Sequence, residues 1–147
     1  MITERNGIFV LETEHTSYLF GSTETGHPEH LYYGRKIRIR GDRALREKHA
    51  FCPGNGIYYD DGHKNFSLED ACLEMSSFGK GDIREPFVEI VYADGSFTSD
   101  FLVESFEITE TKQEYASLPG SYSEDGRVEH LCVRLRERCH AMVLELH

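Results

Sequence analysis

The stretch Glu85-Pro86-Phe87-Val88-Glu89-Ile90-Val91-Tyr92-Ala93-Asp94-Gly95-Ser96-Phe97-Thr98-Ser99-Asp100-Phe101 decides the fold class. Asp94-Gly95 stands between two β-rich runs, which is the pattern of a two-residue hairpin turn. Phe87 to Ala93 reads as the incoming strand, and the outgoing one continues to Ile108. Pairing about the turn sets Tyr92 opposite Phe97, Ile90 opposite Ser99 and Val88 opposite Phe101. Side chains alternate along a strand, so these residues share one face, the expected core face.

Just upstream, Gly79-Lys80-Gly81-Asp82-Ile83-Arg84 leads into Glu85-Pro86. The two glycines mark a sharp bend or a close backbone approach. Asp82, Arg84 and Glu85 set charges of both signs beside it, and Pro86 biases Glu85 toward an extended conformation. Two readings stand. In one, an internal Asp–Arg or Arg–Glu pair closes a structural loop. In the other, Arg84 is a forked donor and Asp82 or Glu85 an acceptor for a polar ligand. Under the first, Arg84 is expected to be largely buried, paired with a carboxylate or with loop carbonyls.

Strand patterns recur on both sides. Gly7 to Thr13 and Thr16 to Gly21 form a hairpin by spacing, and His30 to Gly34 adds a third strand. Arg35 to Arg40 alternates, with Ile37 and Ile39 on one side. The basic cluster continues through Arg43, Arg46 and Lys48, either a solvated face or a local anion site. Leu68 to Ser77 fits a helical turn or an irregular strand equally well. Thr109 to Ser117 is a polar connection, and Leu118 to Tyr122 is turn-like. Val128 to Arg136 alternates about Leu131, Val133 and Leu135, and Cys139 to His147 returns as a last strand. Many evenly spaced strands with little helix and no repeat predict an all-β, antiparallel β-sandwich.

The 147 residues suffice for one domain with a core, and 39% hydrophobic content excludes wholesale disorder. A net charge of −10 argues against nucleic acid and anionic membrane surfaces as partners. The N-terminus lacks a signal-peptide pattern, and no apolar run is long enough to span a bilayer. Cys52, Cys72, Cys132 and Cys139 show no zinc-type spacing, which predicts free thiols in a cytoplasmic protein. The final strand pattern stops without a turn or polar tail, so a piece of a longer protein is expected.

Candidate chemistry is sparse. Lys48 to Asn65 reads as a long loop, hinged at Pro53, Gly54 and Gly56 and carrying Tyr58, Tyr59, Asp60 and Asp61. Carboxylates beside tyrosines suit a sugar, since they accept hydroxyl hydrogen bonds while rings cover the apolar sugar face. An exposed acidic turn has the same signature. His27-Pro28-Glu29-His30 is a poor ligand pair, and no metal or cofactor is expected. Neither a nucleophile elbow nor a P-loop is present.

Four motifs in order carry a resemblance. His30-Leu31-Tyr32-Tyr33-Gly34-x-Lys36, Phe66-Ser67-Leu68, Gly79-x-Gly81-Asp82-Ile83-Arg84-Glu85-Pro86 and Leu118-Pro119-x-x-Tyr122 span nearly the whole chain. Together they resemble the N-terminal domain of glycoside hydrolase family 36 α-galactosidases. Ile83 departs from the aromatic residue usual there, and Met75 and Phe78 stand where tyrosines are usual.

The resemblance implies a large β-sandwich (supersandwich) ahead of a (β/α)8 catalytic barrel that hydrolyses terminal α-galactosides, such as melibiose and raffinose, with retention. Both catalytic carboxyl groups of such enzymes lie in the barrel, so the expectation here is a non-catalytic domain with no catalytic residue of its own. Lys80-Gly81-Asp82 aligns with the sandwich signature rather than with the family's Lys-x-Asp nucleophile motif. Implied partners are the barrel in cis, further copies in a homo-oligomer (a tetramer) and a galactoside. In such a tetramer Asp60 or Asp61 would cap a neighbour's sugar pocket. Rival readings are an independent carbohydrate-binding module and a purely structural assembly domain.

Overall fold

Asn6-Gly7 turns the chain for the first time, with φ angles of 54° and 74° that suit the left-handed backbone these two residues tolerate. The turn joins β1 (Ile2–Arg5) to β2 (Ile8–Glu12) in the register Ile2↔Leu11 to Arg5↔Ile8. Ile2 is the only apolar residue in β1, so the ladder to β2 makes this strand, and no hydrophobic alternation announces it. The computed structural model describes residues 1–39, 44–46, 57–119, 123 and 126–147. Arg40, Arg43, Lys48, Cys52, Pro53, Gly54, Gly56 and Tyr122 lie outside the described residues.

β3 (Thr16–Ser22) and β4 (Pro28–Arg35) complete a four-stranded antiparallel sheet of order β1-β2-β3-β4. Leu19 faces Tyr32 and Phe20 faces His30, so Leu31 is an extra residue that bends β4. A second antiparallel sheet holds β5 (Phe101–Thr109), β6 (His130–Glu137) and β7 (Val143–Leu146) in that order. The expected β-sandwich is what forms, and among the described residues a single 3₁₀ turn, Leu68–Asp70, stands where the sequence left helix and strand open.

The core lies between the sheets. Phe9, Phe20, Met75, Phe101, Leu131, Val133 and Leu135 are buried together. Phe9 stacks on Phe20 at 4.7 Å and meets Phe106 of the opposite sheet edge-on at 5.0 Å. A smaller cluster of Ile8, Val10 and Leu19 covers the other side of the first sheet. Both faces of β2 are therefore apolar, which explains its unbroken Ile8-Phe9-Val10-Leu11 run. Ile37 and Ile39 are half-buried and Lys36 and Arg38 exposed, but β4 ends at Arg35 and residues 36–39 are not in a strand.

The hairpin at Asp94-Gly95 differs from its expected form. Gly95 N–H donates to Tyr92 O at 2.9 Å and Tyr92 N–H to Ser96 O at 2.8 Å, so the loop has three residues and Tyr92 faces Ser96. Phe97 lies outward, 54% exposed, although Ser99 and Phe101 of the same two-residue period are buried along with Tyr92. Phe87 to Ala93 does not form a ladder strand. Its neighbours recruit other partners: Phe87 N–H donates to Ser76 O and Ser99 N–H to Phe78 O. Val88 and Ile90 still pack against the core. The last strand is also shorter than expected, because Glu137 accepts from the backbone N–H groups of Cys139 and His140 and holds that segment in a turn.

Candidate functional site

Loops at one end of the sandwich form a platform. Tyr59 N–H donates to Phe66 O at 2.8 Å and closes a loop whose turn is made by Asp60. Asp60 Oδ1 accepts from Gly62 N–H (2.9 Å), His63 N–H (2.9 Å) and His63 Nδ1 (2.7 Å). The His63 bond first of all holds the Asp60 carboxyl below the usual carboxylate range. Asp61 is exposed and its Oδ1 accepts from Tyr58 O–H at 3.2 Å.

The Gly79–Arg84 loop packs beside this one. A Cβ on Gly81 would lie 3.1 Å from Ile57 Cγ2, and one on Gly79 would lie 2.5 Å from Thr98 Oγ1. With φ of 93° and 88° at Gly79 and Gly81, both the bend and the close approach require glycine. Lys80 Nζ sits 4.9 Å above the centre of the Tyr59 ring. Arg84 is the clamp. Nε and Nη2 grip Asp82 at 2.7 and 3.1 Å, Nη1 donates to Ala71 O at 2.6 Å and Nη2 to Leu68 O at 2.8 Å. The guanidinium thus ties its own loop to the 3₁₀ turn. Burial is distributed against expectation: the Asp82 side chain is fully covered, whereas that of Arg84 is 38% exposed. Burial raises the Asp82 pKa, but hydrogen bonds from Arg84 and Ser76 outweigh it and keep the group acidic. Glu85 is exposed.

Beneath the platform lies a buried polar hub. His27 Nδ1 meets Thr25 Oγ1 at 2.8 Å, and His27 Nε2 meets Asp100 Oδ1 at 2.8 Å. Asp100 Oδ2 accepts from Tyr59 O–H at 2.7 Å, and Arg138 Nη1 donates to Tyr59 Oη at 2.8 Å. Glu137 Oε1 accepts from Asp100 N–H at 3.1 Å. His27 comes from the β3–β4 turn, Asp100 directly precedes β5, Glu137 ends β6, and Tyr59 carries the platform loop. One hub therefore binds both sheets to the platform. No local motif flags it, because His27 and Asp100 are 73 residues apart.

Burial pushes the Asp100 pKa up, but the His27 and Tyr59 hydrogen bonds, with the charges of His27 and Lys80, win and leave it lowered. A depressed folded-state pKa adds stability that is full above the unfolded value, about 4, and is lost as pH falls through the folded value. Melting temperature is accordingly expected to fall below about pH 4. The fall should be shallower in Asp100→Asn, as differential scanning calorimetry across pH 2–7 would read. An equally steep fall in that variant would show that other groups set the acid limit.

His27 and His30 serve different partners, since His30 Nδ1 meets Glu74 Oε1 at 2.8 Å. Arg46, from the basic cluster, donates to Ser22 O at 2.6 Å and Gly7 O at 2.9 Å. An apolar cleft of about 420 Å³ opens at one edge of the inter-sheet space, lined by Ile2, Leu11, Phe20, Met75 and Leu146 among others. Among the described residues, no helix is long and apolar enough to cross a membrane.

Fold and platform together define a two-sheet antiparallel β-domain with a glycine-bent, arginine-clamped loop end. The family is narrower: residues 26–147 match the glycosyl hydrolase family 36 N-terminal domain, and the chain belongs to that family. It is 30% identical over 130 residues to the bifunctional α-galactosidase/sucrose kinase AgaSK of Mediterraneibacter gnavus, covering 88% of this chain and 14% of that protein. It is 25% identical to the α-galactosidase Mel36A of Lactobacillus acidophilus, covering 97% of this chain and 20% of that protein. The crystal structure of the α-galactosidase from Lactobacillus brevis superposes with a TM-score of 0.83 at 26% identity, covering 94% of this chain and 19% of that one. The chain thus spans a fifth or less of the length of these relatives.

Proposed function

We propose that residues 1–147 are the non-catalytic N-terminal sandwich of a retaining, cytoplasmic α-galactosidase acting on terminal α-galactosides. The observation that carries this reading is the family match over residues 26–147, within relatives whose remaining length holds no counterpart here. Retention needs two carboxyl groups about 5–5.5 Å apart, one as nucleophile and one as acid/base. In this reading both are supplied by a barrel in cis. The free thiols at Cys72, Cys132 and Cys139 are in keeping with a reducing compartment. Purified chain is expected to release no galactose from a nitrophenyl α-galactoside, whereas a chimera joining it to the rest of AgaSK should do so. Turnover by the chain alone, abolished by a substitution within it, would overturn the assignment.

The platform is the part that would reach substrate, in a tetramer whose sugar pockets are completed by a neighbouring copy. Ile57 and Tyr58 are exposed beside Asp61, while Asp60 is engaged with its own turn. Of the two carboxylates, Asp61 is therefore the better placed to accept sugar hydroxyls, and Asp60 shapes the loop. A charge-assisted hydrogen bond is worth about 1.5–3 kcal/mol, so Asp61→Ala in the chimera is expected to lower kcat/KM roughly tenfold or more. Size-exclusion chromatography should show an unchanged oligomer. Unaltered kcat/KM would leave the platform as a packing surface. Tight galactose binding by the chain alone would favour an independent carbohydrate-binding module.

A further inference from the structure

A different face of the molecule carries a convergence of ligating groups. Cys132, Glu145 and His147 hold their ligand atoms within 4.8 Å of one another. The ladder explains why. Val133 pairs with Leu146, the last residue of β7, which carries Cys132 to a position beside His147 just past the end of that strand. Leu131, Val133 and Leu135 point into the core, so His130, Cys132 and Arg134 share the outer face of β6. Glu145 lies on that face of β7, and His147 follows directly after the strand.

His147 is oriented as a metal ligand would be. Its Nδ1 lies 3.1 Å from His130 Nε2, and its Nε2 lies 3.8 Å from Glu145 Oε2. Metal-binding histidines commonly fix one ring nitrogen in a hydrogen bond and leave the other to ligate. The two imidazoles also stack, with centres 5.1 Å apart and planes 12° apart, and the Tyr115 ring meets His147 at 5.4 Å. Glu145 is held similarly: Oε1 lies 3.4 Å from Arg134 Nη1, leaving Oε2 toward His147. Arg134 does not make the face positive, because Glu104 is 3.5 Å from it and Glu107 stands opposite Cys132 on β5.

We propose that Cys132, Glu145 and His147 bind one zinc-class divalent ion, with His130 as the positioning residue for His147 and water in the remaining place. Zinc takes sulfur at about 2.3 Å and nitrogen or oxygen at about 2.0–2.2 Å, so in a tetrahedral site with one thiolate the nitrogen and oxygen atoms stand about 3.3–3.6 Å apart and the sulfur about 3.5–3.7 Å from each. The His147–Glu145 separation of 3.8 Å is a few tenths of an ångström wider than this, and small side-chain rotations close it and bring the thiol in from within 4.8 Å. A thiolate with an imidazole selects zinc over magnesium or calcium.

Cobalt(II) is the probe, since a cobalt–thiolate bond gives a near-ultraviolet charge-transfer band. Titrating the metal-free chain is expected to produce that band at one cobalt per chain, with zinc displacing it and magnesium leaving it intact. Cys132→Ser should abolish the band with an unchanged far-ultraviolet spectrum, whereas Cys52→Ser, Cys72→Ser and Cys139→Ser keep it. His130→Ala should retain the band but weaken binding about 10–100-fold. No thiolate band in the unaltered chain, or a band that survives Cys132→Ser, overturns the proposal.

Discussion

Asp100→Ala is expected to lower the melting temperature by roughly 10 °C at neutral pH, the largest effect of any single polar substitution proposed for this chain. Asp100 is only 3% exposed and His27 only 2%. Both carboxylate oxygens are engaged, Oδ1 by His27 and Oδ2 by Tyr59 with Arg138 at 3.4 Å. Truncation leaves His27 Nε2 buried without its partner and deprives Tyr59 O–H of its acceptor. Removing one side of a buried charged pair costs about 3–5 kcal/mol. At about 2–4 °C per kcal/mol for a chain of this size, the shift is of the stated order. Asp100→Asn keeps an acceptor and should lie between. Circular dichroism melts decide it, and a variant that melts like the unaltered chain would show that the hub does not hold the sheets together.

Arg84→Ala is expected to cost about 2 kcal/mol, or roughly 5 °C. The figure is smaller than for a buried pair because the Arg84 side chain is 38% exposed and solvent screens its charge. What remains is geometric. Truncation leaves Asp82, whose side chain is fully covered in the intact chain, with Ser76 and the Arg84 backbone N–H as its residual partners. The carbonyls of Leu68 and Ala71 lose their guanidinium donors. Lysine has no fork with which to grip a carboxylate and two carbonyls at once, so Arg84→Lys should recover little. Hydrogen exchange should quicken at Leu68–Ala71 and at Ile57–Tyr59, which the loop touches through Gly81 and Lys80. Exchange confined to residues 82–85 would mean that the clamp is local and the platform is held by other contacts.

Local pattern reaches far in this chain wherever the physics is local. Alternation about Leu131, Val133 and Leu135 describes the buried face of β6 correctly, because side chains alternate whatever the partner strand. Tyr92, Ser99 and Phe101 are inward for the same reason. The four motifs of the resemblance likewise needed only residues and order, and the family match agrees with them. Asn6-Gly7 held a hairpin signal as plain as Asp94-Gly95, yet β1 is legible only once β2 stands beside it.

Partner choice, by contrast, was decided in three dimensions. Phe87 to Ala93 has every propensity of a strand, but the carbonyls of Ser76 and Phe78 capture the neighbouring N–H groups. The Asp94-Gly95 turn takes one residue more than its dipeptide suggests, and Phe97 lies at the surface although Ser99 and Phe101 of the same period are buried. Asp82 and Arg84 are neighbours in sequence, yet packing alone settled that the carboxylate is covered and the guanidinium half open. The hub is the extreme case. His27, Tyr59, Asp100 and Arg138 have no spacing to read, since each comes from a different element. Periodicity and turn chemistry act over a few residues and can be read along the chain. Which buried polar group meets which is settled only when two sheets and their loops close on the same small volume.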